Sequence, residues 1–264
     1  MDETPIYLES ISKNTIAPIG AKTVYIRSHG GEKTRITVML CIGADGRKLP
    51  PLLVFKGEKN GKKETLLNKC ENCMKKKIFV VCQDNSWADT SIFLLWLEKI
   101  FFNNTIINNQ EKKILIIDRA TTHYDENLKD LFKKLNSHYI LIPPGLTRFI
   151  QPLDVSINAP FKKKIHHWNI DFSIDNENKA KPTEIDIINA AVDIWYNDNT
   201  ITKDIIIKSF KVTGISSNLD GSEDNLIIHH EEICDEIISP SELITDEKEL
   251  NEIIVKIENE KKKV

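Results

Sequence analysis

The chain carries two aspartates that each close a segment opened by a short apolar run. The first run is Lys113-Ile-Leu-Ile-Ile-Asp118; the second starts at Ile140-Leu-Ile142 and passes through Pro143-Pro-Gly145 to Gln151-Pro-Leu-Asp154. With almost no polar interruption, 113–118 reads as a central strand buried on both faces. Residues 124–136 set Leu128, Leu131, Phe132 and Leu135 on one helical face, and 138–142 reads as the next strand. A carboxylate at the end of a buried strand is held rigidly and desolvated on one side, an arrangement that suits a divalent metal. Asp2, at the start of the chain, is a third candidate of the same kind.

Upstream, the turn signals are those of an antiparallel meander. Residues 22–28 alternate as a strand, Ser28-His-Gly-Gly-Glu32 turns the chain, and 34–43 reads as a second, more buried strand. Ala44-Asp-Gly46 turns again before a third strand at 51–56. The Lys-rich segment 56–77 is expected to be an exposed insertion, and 78–82 a further short strand. Residues 88–102 place Ile92, Leu95, Leu97, Ile100 and Phe101 near helical spacing, with Trp87 and Trp96 as packing mass. Beyond Asp154, 155–168 is expected to be helical despite Pro160. Residues 183–197 read as a capped amphipathic helix and 201–210 as another. Residues 216–225 are polar and read as a linker; 240–260 is acidic, with apolar residues near helical spacing.

A meander followed by strand–helix–strand–helix is a mixed α/β plan. The order fits an RNase H-like layout, in which catalytic carboxylates gather at one edge of a central sheet, and it fits several other α/β folds as well. With 264 residues, 41% of them hydrophobic, the chain can bury a full core. The expected division is a domain over 1–168, a helical extension over 169–215, and an acidic linker with a C-terminal helix over 216–264.

Net charge is -3, yet it is unevenly spread. Residues 1–214 hold 31 Lys and Arg against 25 Asp and Glu, whereas 215–264 hold 5 against 14. A mildly basic body with an acidic tail is compatible with nucleic-acid contact and equally with simple solubility. No signal peptide and no apolar run of about 18 residues is present, so no spanning helix and an intracellular, reducing setting are expected. Cys70-Glu-Asn-Cys73 is half of a zinc spacing without a second pair, which favours free thiols.

Each acid has an ordinary structural reading. Asp118 could cap the following helix, and Asp154 could cap the next one. Against this, Arg119, Thr121, Thr122 and His123 crowd the turn after Asp118, and the loop before Asp154 is more closely specified than a cap needs. Arg148, Lys162, Lys163 and Lys164 lie near Asp154 in sequence and are candidates for phosphate contact, as Arg119 and His123 are near Asp118. No Gly-x-Ser-x-Gly elbow and no Gly-rich phosphate loop occurs.

Met1-Asp-Glu-Thr-Pro5, Gly20-Ala-Lys-Thr-Val24, Thr37-Val-Met-Leu40, Ala44-Asp-Gly46, Lys48-Leu-Pro-Pro51, Trp87, Asp118 with His123, Ile142-Pro-Pro-Gly145 and Gln151-Pro-Leu-Asp154 occur in that order. Together they resemble the DDE superfamily endonuclease domain of pogo, Tigger and jerky-type transposases and of their domesticated descendants, such as centromere protein B relatives. The resemblance covers about residues 1–166, and Ser209-Phe-Lys-Val-Thr-Gly-Ile215 resembles a motif downstream of that domain. It implies an RNase H-like fold and a catalytic triad of Asp2, Asp118 and Asp154. It also implies two Mg²⁺ or Mn²⁺ ions, DNA as substrate, paired subunits and a nuclear location. Cleavage by water and joining by a 3′-hydroxyl follow the same two-metal logic.

Two departures stand out. The family commonly has Asn or Ser after the second aspartate, where this chain has Arg119. Family members also carry N-terminal helix-turn-helix modules and the first half of the first strand. The sequence begins one residue before Asp2, which suggests a truncated form in which Asp2 is poorly held. The competing expectation is a non-catalytic DNA-binding or protein-interaction domain of the same descent, with the acidic C-terminal segment as a partner-binding element.

Overall fold

The computed structural model describes residues 1–7, 35–102, 112–119, 126–176 and 181–227. The expected strand at 22–28, the turn at 28–32, His123, Cys234 and the acidic segment 240–260 lie outside the described residues.

Strand β1 (Asp2–Tyr7) pairs antiparallel with β2 (Arg35–Leu40), and β2 pairs antiparallel with β3 (Leu52–Lys56). The turn between β2 and β3 forms at Ala44-Asp-Gly46 as expected, with Gly46 at φ 86°. The second and third strands of the expected meander are therefore present and antiparallel, while the described partner on the other side of β2 is the segment that holds Asp2 rather than 22–28. Strand β4 (Phe79–Gln83) joins the open side of β3 in parallel, giving the order β1-β2-β3-β4. Strands β5 (Lys113–Asp118) and β6 (Ser137–Ile142) form a parallel pair linked by helix α4 (Glu126–Lys134). The Met1 ammonium bridges the two groups of strands, donating to the Ile116 carbonyl of β5 at 2.9 Å.

Alternation along β2 fixes which side chains meet which helices. Ile36, Val38 and Leu40 belong to one apolar cluster and Met39 to the other. The first cluster packs β1–β4 against helices α6 (Asn158–Asp175), α7 (Glu184–Tyr196) and α8 (Lys203–Val212). Trp195 of α7 is fully buried there, edge-on to Phe161, and its indole N–H donates to the Leu49 carbonyl at 2.9 Å. Caps hold these helices in register. Thr183 and Asp186 form a capping box on α7, and Thr202 accepts from the Ile205 N–H at the start of α8. The second cluster joins both groups of strands to α4 and to α3 (Thr90–Trp96), which continues as a π-turn over Leu97–Phe102. Asp89 caps α3 through the Ile92 N–H.

Four expectations need correction. Strand β5 is not covered on both faces: Leu115 and Ile117 are buried, whereas Ile114 is 61% exposed, as Ile140 of β6 is at 52%. The run is apolar on both faces, but α4 packs on one. The segment 56–77 is mostly exposed, as expected, but not wholly so: it forms α1 (Lys62–Leu67), whose Glu64 and Leu67 are buried, and α2 (Glu71–Met74). Buried Glu64 of α1 accepts from the Cys82 N–H at 2.7 Å and so pins α1 to β4. Trp87 is 56% exposed and stacks under the Arg35 guanidinium at 3.7 Å, so only Trp96 of the two supplies core. Finally, the loop before Asp154 contains a helical turn, α5 (Thr147–Ile150), and a π-turn over Leu153–Ile157 carries the chain into α6. Wider π spacing at this point leads into Pro160, which supplies no N–H, in the first turn of α6.

Candidate active site

Three elements bring the aspartates towards one place. Asp2 opens β1 and is buried, at 6% exposure, opposite Leu40 in the ladder. Asp118 ends β5, paired with Ile142, and is half-buried. Asp154 lies in the π-turn before α6 and is exposed. It does not cap that turn, whose N-cap is Pro152.

The link between them is a residue that the sequence reading passed over. Asn158, buried at 4% exposure, donates from its side-chain nitrogen to Asp2 Oδ2 and, at 2.9 Å, to Asp154 Oδ1. Two oxygens bonded to one nitrogen lie within about 6 Å of each other. The only signal for this in the sequence is the spacing of Asp154 and Asn158, one helical turn apart.

Electrostatics carry the same proximity. The Asp2 carboxyl is raised from 3.8 to about 7, first by burial and then by the charge of Asp154, with a smaller contribution from Asp118. The bond from Asn158 and the nearby Met1 ammonium pull it down in part. A buried acid that feels two other carboxylates, each from a different element, is the kind of group that a divalent cation neutralises. The donor set consists of hard carboxylate oxygens, which fits Mg²⁺ or Mn²⁺. Among the described residues no three acidic, His or Cys side chains close into a ready cation cage.

Asp2 is not loosely held at the chain start, contrary to expectation. The β1–β2 ladder runs from Asp2 to Tyr7, the Met1 ammonium is anchored on Ile116, and buried Gln151 donates to the Met1 carbonyl at 2.8 Å. Gln151 and Asp154 therefore act on the same strand end, which explains the rigid Gln-Pro-Leu-Asp sequence.

The basic candidates divide. Arg119 and Arg148 are exposed, and the Arg148 guanidinium lies 4.2 Å from the Phe149 ring. Lys162 follows Asn158 by one helical turn on α6 and is half-buried; Lys163 is exposed. Lys164 forms an ion pair with Asp198 at 2.9 Å. Cys41, Cys70, Cys73 and Cys82 are free thiols, and burial with the neighbouring Cys70 pushes the Cys73 thiol up to about 12. No helix among the described residues is long and apolar enough to cross a membrane.

Residues 33–210 match the family described as the DDE superfamily endonuclease. The chain belongs to this family. It is 30% identical over 235 residues to the human protein "Pogo transposable element with KRAB domain". The mouse protein of the same name is 29% identical over the same length. Each match covers 85% of this chain and 36% of the relative. A human "Pogo transposable element with ZNF domain" is 24% identical over 166 residues, 63% of this chain and 11% of that protein. The chain thus spans about a third of the length of the pogo relatives with a KRAB domain. No solved structure matches.

Proposed function

We propose that this chain is an RNase H-like catalytic domain of pogo transposase descent that cleaves DNA phosphodiesters and transfers the strand. Asp2, Asp118 and Asp154 are its acids, and Mg²⁺ or Mn²⁺ its cofactor. The observation that carries the reading is the raised Asp2 carboxyl, buried beside Asp154 and Asp118 and sharing Asn158 with Asp154. The fold reading is supported by the strand order. The four-stranded sheet runs β1-β2-β3-β4, the β5–β6 pair is a separate two-stranded sheet, the Met1 ammonium at the edge strand β1 bonds to β5, and two of the acids sit at strand ends beside that bond.

Under this reading Asp2 supplies a rigid, desolvated carboxylate, Asp118 approaches from the end of β5, and Asp154 completes the set from the π-turn. These three carboxylates would hold the divalent cations, whose chemistry would be to lower the pKa of an attacking water or 3′-hydroxyl and to offset charge on the leaving 3′ oxygen. Arg119, Arg148, Lys162 and Lys163 are assigned to DNA phosphates under this reading, with His123 as a further candidate. Lys164 is committed to Asp198 and contributes less. The region 1–168 is the catalytic unit; 169–215 is a helical extension that packs on it; 216–264 is an acidic segment for a protein partner. Paired subunits and a nuclear location belong to the same reading, with Lys162–Lys164 and Lys261–Lys263 compatible with nuclear import.

The test is nicking of supercoiled DNA by the purified chain with Mg²⁺ or Mn²⁺, with Asp118→Ala as control. Cleavage that Asp118→Ala abolishes is expected. A second reading, a DNA-binding domain without catalysis, draws on the absence of a closed cation cage among the described residues. DNA binding with no cleavage in either metal would establish it and overturn the first.

A further inference from the structure

We propose that Asn158 is a positioning residue of the carboxylate site, setting the separation of Asp2 and Asp154 for the cation that they share; this rests on the proposed metal-dependent reading. Three observations carry it. First, the amide nitrogen has two protons, and each is given to a different carboxylate, one on β1 and one on the π-turn. This orientation gives each carboxyl group a donor, whereas the reversed amide would aim its oxygen at the oxygens of both.

Second, the side chain serves nothing else. Asn is a favoured cap, yet at the start of α6 no side chain caps the helix, and the N-cap is Ile157. Third, its Oδ1 is buried with no hydrogen-bond partner among the described residues. A side chain selected for packing would not bring an unsatisfied oxygen inside, whereas one selected to hold two carboxylates would.

The consequence is a division of labour. Asp2 is fixed by the sheet, and Asp154 rides on a π-turn and is exposed. Without Asn158 the two like charges have no common donor, and Asp154 swings into water. The site then keeps all three acids but loses their spacing.

The test uses the whole chain and reads metal binding rather than turnover. Binding of Mn²⁺ is measured by electron paramagnetic resonance for wild type, Asn158→Leu and Asn158→Ala, with circular dichroism to establish folding. Both variants are expected to bind Mn²⁺ about tenfold or more weakly. In wild type, the Asn158 side-chain amide resonance in a ¹⁵N spectrum is expected to shift on adding Mg²⁺. This second measurement needs no variant, and a purely structural amide would not move. Unchanged affinity in the folded variants, or an amide resonance indifferent to Mg²⁺ while Mn²⁺ binds, overturns the role of Asn158 and leaves the metal reading standing. A wild-type chain that binds neither ion overturns both.

Discussion

Replacing Asp2 by Asn should stabilise the protein while removing its proposed activity. Below pH 3.8 Asp2 is neutral in both folded and unfolded chains, so its environment costs nothing. As pH rises towards 7, the unfolded chain ionises freely while the folded chain holds the proton, because burial and the charges of Asp154 and Asp118 raise the carboxyl to about 7. The stability associated with the neutral acid is therefore present at low pH and is lost as pH rises through the folded value. A rise of that size corresponds to about 4 kcal/mol at full ionisation. Since Asp154 is exposed and screened by water, about 2–4 kcal/mol is the expected effect at pH 8. The substituted amide is neutral throughout, and its side-chain oxygen can still accept from Asn158. In thermal melts with chelator present, Asp2→Asn should melt about 5–10 °C above wild type at pH 8, and the gap should narrow at pH 5. Saturating Mn²⁺ should raise the wild-type midpoint and leave the variant unmoved. A wild type as stable as the variant at pH 8, or a gap that ignores pH, would refute the reasoning.

Other perturbations test the parts that hold the site. Gln151→Ala removes the buried donor to the Met1 carbonyl and should cost about 1–3 kcal/mol, with faster amide exchange along β1 than along β3. Gly46→Ala places a Cβ 2.4 Å from Lys203 Cγ and 3.0 Å from the Lys203 carbonyl at a φ of 86°; a loss of about 1–3 kcal/mol in urea denaturation is expected. Lys163→Ala should weaken DNA binding and flatten its salt dependence. Lys164→Ala, whose ammonium already pairs with Asp198, should change affinity less than about twofold in the same titration.

What could be read from the chain alone was local. The β2 and β3 strands, the turn at Ala44-Asp-Gly46, the helices α4, α7 and α8, and the strand ends at Asp118 and Ile142 all follow from short-range pattern and punctuation. Burial of β5 was overstated, since an apolar run reads alike whether one face is covered or two. The π-turn at Leu153–Ile157 was unreadable for a different reason: no residue type prescribes π spacing, and Pro160 signals only an interruption. The hold on Asp2 was least legible. It depends on Ile116 and Gln151, 115 and 150 positions from Met1, and nothing near Asp2 in sequence announces either bond.

The same contacts that secure Asp2 make it uncomfortable. Held at the strand end, its carboxyl is buried, and that desolvation is the largest cause of its raised pKa. A looser strand end would be more stable at neutral pH and could not hold a carboxylate at fixed distance from Asp154. Asn158 eases the repulsion with two hydrogen bonds, but a neutral amide cannot cancel charge. A divalent cation can, and it would recover the stability that burial and crowding cost. Stability gained on adding metal, lost on neutralising Asp2, and reduced by removing Asn158 would therefore be three readings of one repulsion, separable from DNA cleavage and measurable without it.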